Sequence, residues 1–84
     1  MWMQNISYVP ASIGVSKGTT ITWTNKDNVD HTVTSGVPGY PTGLFDSGNI
    51  PPGGTFKYTF DSTGTYQYFC RIHLDKMEGT VTVK

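Results

Sequence analysis

Apolar and polar residues alternate along much of this chain. In Thr20-Ile21-Thr22-Trp23-Thr24, Ile21 and Trp23 share one face and the threonines take the other. This is the two-residue period of a half-buried strand. Thr55-Phe56-Lys57-Tyr58-Thr59-Phe60 turns Phe56, Tyr58 and Phe60 inward and Lys57 outward. From Thr65 to Cys70, Tyr66, Tyr68 and Cys70 line up opposite Gln67 and Phe69. His31-Thr32-Val33-Thr34 and Thr80-Val81-Thr82-Val83 keep the same rhythm, and weaker strands fit residues 6–9 and 11–15 on either side of Pro10. No segment sustains the 3.6-residue period of a helix. Lys17-Gly18, Asn25-Lys26-Asp27-Asn28, Pro51-Pro52-Gly53-Gly54 and Asp61-Ser62-Thr63-Gly64 read as turns. Seven to eight short strands at this spacing predict an all-β fold, an antiparallel Greek-key sandwich of two sheets. Residues 35–50, with Gly36, Pro38, Gly39, Pro41, Gly43 and Gly48, read as one long loop. There is no internal repeat, and residues 1–84 are expected to form a single domain.

Composition narrows what such a sandwich does. At 84 residues the chain buries only roughly 60–65% of its unfolded surface, so its core is thin. Six basic residues balance six acidic ones, which argues against nucleic acid or a polybasic membrane contact. Met1-Trp2-Met3-Gln4 has none of the parts of a signal peptide. One cysteine and two histidines rule out an internal disulfide and leave a metal as the staple a small domain would use.

The chemistry gathers near the end of the chain, in Cys70-Arg71-Ile72-His73-Leu74-Asp75-Lys76-Met77, with His31 at the start of an upstream strand. Taken singly, each has a plainer reading: a buried small hydrophobe for Cys70, a satisfied or surface imidazole for either histidine, core filler for Met77. Together, a thiolate, two imidazoles and a thioether make a soft donor set suited to copper. A trigonal His₂Cys plane with a weak axial Met is the blue-copper arrangement for one-electron transfer. One short loop after a strand offers three of the donors, and His31 approaches from a neighbouring strand.

Gly64-Thr65-Tyr66-Gln67-Tyr68-Phe69-Cys70-Arg71-Ile72-His73 resembles the G-T-Y-x-[YF]-x-C-x-x-H signature of the cupredoxins, small type 1 blue copper proteins such as plastocyanin, amicyanin and azurin. Met77-Glu78-Gly79-Thr80-Val81-Thr82-Val83 resembles their M-x-G-x-V-x-V ending. Asp30-His31-Thr32-Val33-Thr34 and Phe45-Asp46-Ser47-Gly48 are similar to two further family segments, in the same order. The resemblance covers nearly the whole chain. It implies that His31, Cys70 and His73 are equatorial copper ligands and Met77 the axial one. The Cys70-to-His73 spacing is that of plastocyanin and amicyanin, whereas the His73-to-Met77 spacing matches azurin. Such a hybrid loop makes Met77 a weak ligand, with a water or small ligand as the alternative occupant of the axial place. Ile72 stands where proline is usual and so adds a backbone N–H that could reach the Cys70 sulfur. The N–H of Thr32 is a second sulfur donor by the same resemblance, while Thr at 32 in place of the usual Asn is expected to weaken the side-chain pin between the loops.

Other residues invite plainer readings. Trp23 is a core residue, since the paired cysteines of an immunoglobulin domain are missing. Asn28 and Asp30 read as turn formers rather than as partners of His31. For Tyr40 and Pro38, bordering the metal and simply lying in a loop are equally plain readings. Phe69 reads as packing rather than as part of a remote electron route.

The leading function is a mononuclear carrier of single electrons between redox partners. The alternative is a copper site with an open axial position that converts a small molecule such as nitric oxide. A second His-rich copper site has no histidines left, three methionines are few for copper delivery, and zinc would leave the thioether unused. Without a single-sign patch, partners are expected to dock on an apolar surface beside His73, formed by Leu74, Pro38 and Val37. The resemblance implies extracytoplasmic work, in the periplasm or at the outer cell surface, with a membrane tether outside these residues, and a monomer.

Overall fold

Threonine-rich alternation becomes strand at residues 20–24, 55–60, 65–70 and 80–83, but of the expected strand at residues 31–34 only Thr34 lies in one: His31 makes an isolated bridge to Ile50 ahead of it. The computed structural model describes residues 1–84, except the side chains of residues 74–76. Nine strands run in chain order: β1 (Trp2–Met3), β2 (Tyr8–Val9), β3 (Ser12–Val15), β4 (Thr19–Asn25), β5 (Thr34–Val37), β6 (Tyr40–Asp46), β7 (Thr55–Phe60), β8 (Gly64–Cys70) and β9 (Leu74–Val83). One sheet has the order β2-β1-β4-β7 and the other β3-β9-β8-β5-β6. No helix of the described residues is long and apolar enough to cross a membrane.

Three further expectations shift. The weak strand at residues 6–9 is strand only at Tyr8–Val9, because Asn5 and Ile6 form the turn of a hairpin with β1. The sheets are not wholly antiparallel: β1 pairs β4, and β3 pairs β9, in parallel. Neither pair is joined by a hairpin, so nothing constrains its members to opposite directions. The long loop of residues 35–50 contains the β5–β6 hairpin, closed at Val37↔Tyr40 by Pro38 and Gly39. Proline at the first central position and a glycine with φ 86° at the second suit a tight turn. Pro41 is tolerated because β6 is an edge strand.

The sheets meet over an aromatic core. Trp23 of β4 is fully buried, and its ring lies 5.4 Å from Tyr68 and 6.4 Å from Phe45 of the opposite sheet, and 5.8 Å from Phe56 of its own. Phe56 and Tyr58 are half-buried and Phe60 is buried, as their alternation predicts. Phe69 faces away from that core yet is also buried. Gly79 stands opposite Tyr68 in the β8–β9 ladder, and the Tyr68 ring occupies the space a Cβ there would need. Between Phe69↔Glu78 and Cys70↔Leu74 the register breaks, so residues 75–77 are extra on β9. That bulge is where the strand-end loop gathers its donors.

Candidate metal centre

Cys70 is the last residue of β8, and His73 follows it in the turn before β9. His31 arrives from the other side, in the link between β4 and β5. There a two-way backbone bridge pins it: His31 N donates to Ile50 O at 3.1 Å and Ile50 N to His31 O at 2.7 Å. The donor atoms of His31, Cys70 and His73 all lie within 4.8 Å of one another. His73 Nδ1 is 3.5 Å and His31 Nδ1 3.9 Å from Cys70 Sγ. A planar site with metal–sulfur bonds of about 2.3 Å and metal–nitrogen bonds of about 2.0 Å separates sulfur from nitrogen by about 3.7 Å. The observed distances bracket that value, so the donor set fits one soft metal ion. His31 and Cys70 are fully buried and His73 is partly exposed. Met77 is 1% exposed and belongs to the core cluster that contains Cys70.

Thr32 knits the two ligand-bearing segments together. Its N–H donates to Cys70 Sγ at 3.4 Å, and its hydroxyl accepts the Arg71 N–H at 2.8 Å. The pin that threonine was expected to weaken is therefore present. Among the described residues Ile72 makes no hydrogen bond to the sulfur; its side chain is 46% exposed beside the ligands. The Thr32 carbonyl accepts the buried Tyr8 hydroxyl at 2.5 Å. Burial first, then the neighbouring Cys70 and Tyr68, pushes the Tyr8 phenol far above its ordinary range. At the surface Arg71 pairs with Asp46 at 3.2 Å, with both side chains nearly half exposed, so the pair is worth little in stability.

The partner of His31 is a residue that the sequence pattern did not single out. Asn28 and Asp30 are exposed turn residues, as read, whereas Asp27 accepts His31 Nε2 at 2.7 Å. Its position depends on Asn25, which is buried. The Asn25 side chain accepts the Asp27 N–H at 2.9 Å and donates to the carbonyls of Val29 and Ile50 at 2.8 and 2.9 Å. Asp27 does lie four residues before a candidate ligand in a turn, and that was the signal available. Tyr40 is 77% exposed at the hairpin turn. The Leu74 side chain, expected in the docking surface, lies outside the described residues.

A two-sheet sandwich that closes a His₂Cys triangle at one end, with His31 and Cys70 buried and His73 partly exposed, defines a small cupredoxin. The chain belongs to the copper binding proteins of the plastocyanin/azurin family, whose profile matches residues 2–84. It is 31% identical to plastocyanin of Scenedesmus fuscus over 84 residues, which cover 92% of this chain and 86% of that protein. Among solved structures it is similar to a purple cupredoxin from Nitrosopumilus maritimus. The TM-score is 0.86 at 36% identity, over 96% of this chain and 85% of that one. A copper(I) form of an amicyanin variant matches with a TM-score of 0.86 at 25% identity, over 99% and 78% of the two chains. Copper is accordingly the metal of this fold and of this donor set.

Proposed function

We propose that the chain is a one-electron carrier in which His31, Cys70 and His73 are the equatorial copper ligands and Met77 is the axial one. Copper bound there supplies a Cu(I)/Cu(II) couple. The observation that carries the reading is the triangle itself: one thiol and two imidazoles with donor atoms within 4.8 Å of one another, His31 being pinned by its two-way backbone bridge to Ile50. A site fixed in this way changes little between oxidation states, which keeps the reorganisation on electron transfer small. His31 and Cys70 are sealed from solvent, so the His73 edge is the route by which electrons enter and leave. The Thr32 N–H draws charge from the Cys70 sulfur and so favours the reduced state. Met77 is buried in the same core cluster as Cys70, which supports a thioether rather than solvent as fourth donor. This makes a carrier the better reading than an open site acting on nitric oxide.

Redox proteins dock beside His73, with exposed Ile72 and half-buried Val37 and Pro38 as the apolar contact. The work is extracytoplasmic, and residues 1–84 act as one domain. Titrating metal-free protein with Cu(II) tests the reading. An intense thiolate-to-copper band should saturate at one equivalent and vanish in Cys70→Ser. The absence of any such band in the unmodified protein would overturn the assignment. Met77→Ala should change the band and the potential, and an unchanged spectrum would remove Met77 from the ligand set.

A further inference from the structure

Among the described residues two other than glycine sit at positive φ, Asn5 at 55° and Ile6 at 54°. They are the central pair of the β1–β2 hairpin, whose closing residues Gln4 and Ser7 exchange backbone bonds of 2.9 and 3.1 Å. Positive φ at both central positions is the type I′ pattern, which favours Asn-Gly. Asparagine suits the first place, but a β-branched isoleucine in the left-handed region is an outlier. Strain of this kind, on the order of 1–3 kcal/mol, persists where the surroundings over-determine it and clusters at functional sites.

The turn's two N–H groups would ordinarily point into water. Here both point at one carboxylate: Asn5 N donates to Asp27 Oδ1 at 2.8 Å and Ile6 N to Asp27 Oδ2 at 2.9 Å. Consecutive N–H groups arranged in this way form an anion-binding nest. The same Oδ2 accepts His31 Nε2 at 2.7 Å, so a chain of contacts runs from a strained hairpin to a candidate copper ligand. Burial alone would raise the Asp27 carboxyl, but the Ile6 N–H, the His31 side chain and the Asn5 N–H together hold it below its usual range.

We propose that Asp27, clamped by the Asn5-Ile6 backbone nest, is the positioning residue of the copper site. It fixes His31 with the proton on Nε2, turns Nδ1 toward Cys70, and makes the imidazole a stronger donor. The proposal rests on His31 being a ligand. A carboxylate behind an imidazole adds donor strength, which favours the higher oxidation state, so the nest works against the Thr32 N–H on the sulfur and lowers the potential. Asp rather than Asn is needed because both oxygens are occupied by donors. An amide would set its own N–H₂ against a backbone N–H or against the ring. Ile6 enters the clamp only through its N–H.

The test compares unmodified protein, Asp27→Asn and Ile6→Gly, each loaded with copper. Asp27→Asn should keep the thiolate-to-copper band, showing that the ligand assignment holds. It should raise the reduction potential and weaken Cu(II) binding by about tenfold or more, the usual loss when a ligand's outer partner is removed. Ile6→Gly keeps both N–H groups and removes only the side chain: a potential that moved with it as far as with Asp27→Asn would show that the turn's side chain, not the carboxylate, sets the potential, and would overturn the proposal. A missing band in the unmodified protein would sink the ligand reading itself. An intact band with unchanged potential and affinity in Asp27→Asn would sink this proposal alone. A readout independent of these variants is nitrogen NMR of the unmodified metal-free and Cu(I) proteins. His31 should carry a slowly exchanging Nε2 proton in both, and the Nδ1–H tautomer in the metal-free protein would refute the positioning role even if Asp27→Asn failed to fold.

Discussion

Thr32 shows how much one side chain can organise around a thiolate. Its N–H meets the sulfur, its carbonyl takes the Tyr8 hydroxyl, and its own hydroxyl takes the Arg71 N–H while lying 3.0 Å from the Thr34 hydroxyl. Thr32→Val keeps the shape, the N–H and the carbonyl, but leaves the Arg71 N–H without its acceptor. The expected cost is about 1–2 kcal/mol, read from urea unfolding of metal-free protein, with the thiolate-to-copper band retained. A wild-type midpoint would show that the hydroxyl does not hold the loop. Tyr68 poses the opposite case. Its hydroxyl and the Trp23 indole N–H are both buried, and neither reaches hydrogen-bonding geometry with a partner among the described residues. Burial pushes the Tyr68 phenol up to about 12, with the Trp23 N–H pulling weakly the other way. The unfolded chain releases this proton near pH ~10 and the native state holds it, so stability falls as pH rises from the first value toward the second. Two pH units at about 1.4 kcal/mol each amount to about 3 kcal/mol. Tyr68→Phe should therefore change stability by less than about 1 kcal/mol at neutral pH. It should also make the alkaline arm shallower, leaving the part that the raised Tyr8 phenol contributes, as followed by denaturant melts with reductant present. An alkaline arm as steep as the wild type's would assign it to other groups.

Strands built on alternation were legible because period two survives any arrangement of neighbours: β4, β7 and β8 fall where Ile21, Trp23, Phe56 and Tyr68 demand. The donor triangle was legible for a related reason, since a strand end followed by a tight turn brings Cys70 and His73 together whatever the rest does. The hairpins were harder to read. Glycine and proline mark both loops and tight turns, so residues 35–50 looked irregular until pairing with β8 gave β5 a partner. Asp27 stayed hidden because its role depends on the turn after the neighbouring strand β1, distant in sequence, where Ile6 adopts a backbone that its side chain disfavours. Gly79 is explained only by its cross-strand neighbour. A methyl there must enter the Tyr68 ring, and β8 and β9 are joined over seven register pairs, so neither strand can move aside alone. Gly79→Ala should cost about 1–3 kcal/mol as an overpacked core does, measured by thermal or urea melts. If its stability were unchanged, the ring would have a second place to go.

At the scale of the molecule, the balance of six positive and six negative side chains bears on encounters rather than on folding. Beside the ligand loop Arg71 pairs with Asp46, so their charges cancel, and exposed Ile72 lies next to the partly exposed His73. Electron self-exchange between reduced and oxidised copies measures that face without any foreign partner, because two identical faces must meet. A charged face would repel its copy, and added salt would speed the reaction by screening. A neutral one should show a second-order rate constant that varies by less than about twofold from low to physiological ionic strength. Arg71→Glu then supplies the contrast. It reverses one charge beside the still-negative Asp46, so each face becomes acidic. Exchange should slow at low salt and recover as salt is added, with the visible spectrum unchanged because Arg71 reaches the site only through its backbone N–H. A steep salt dependence in the unmodified protein, or none in Arg71→Glu, would place the electron-exchanging face away from His73.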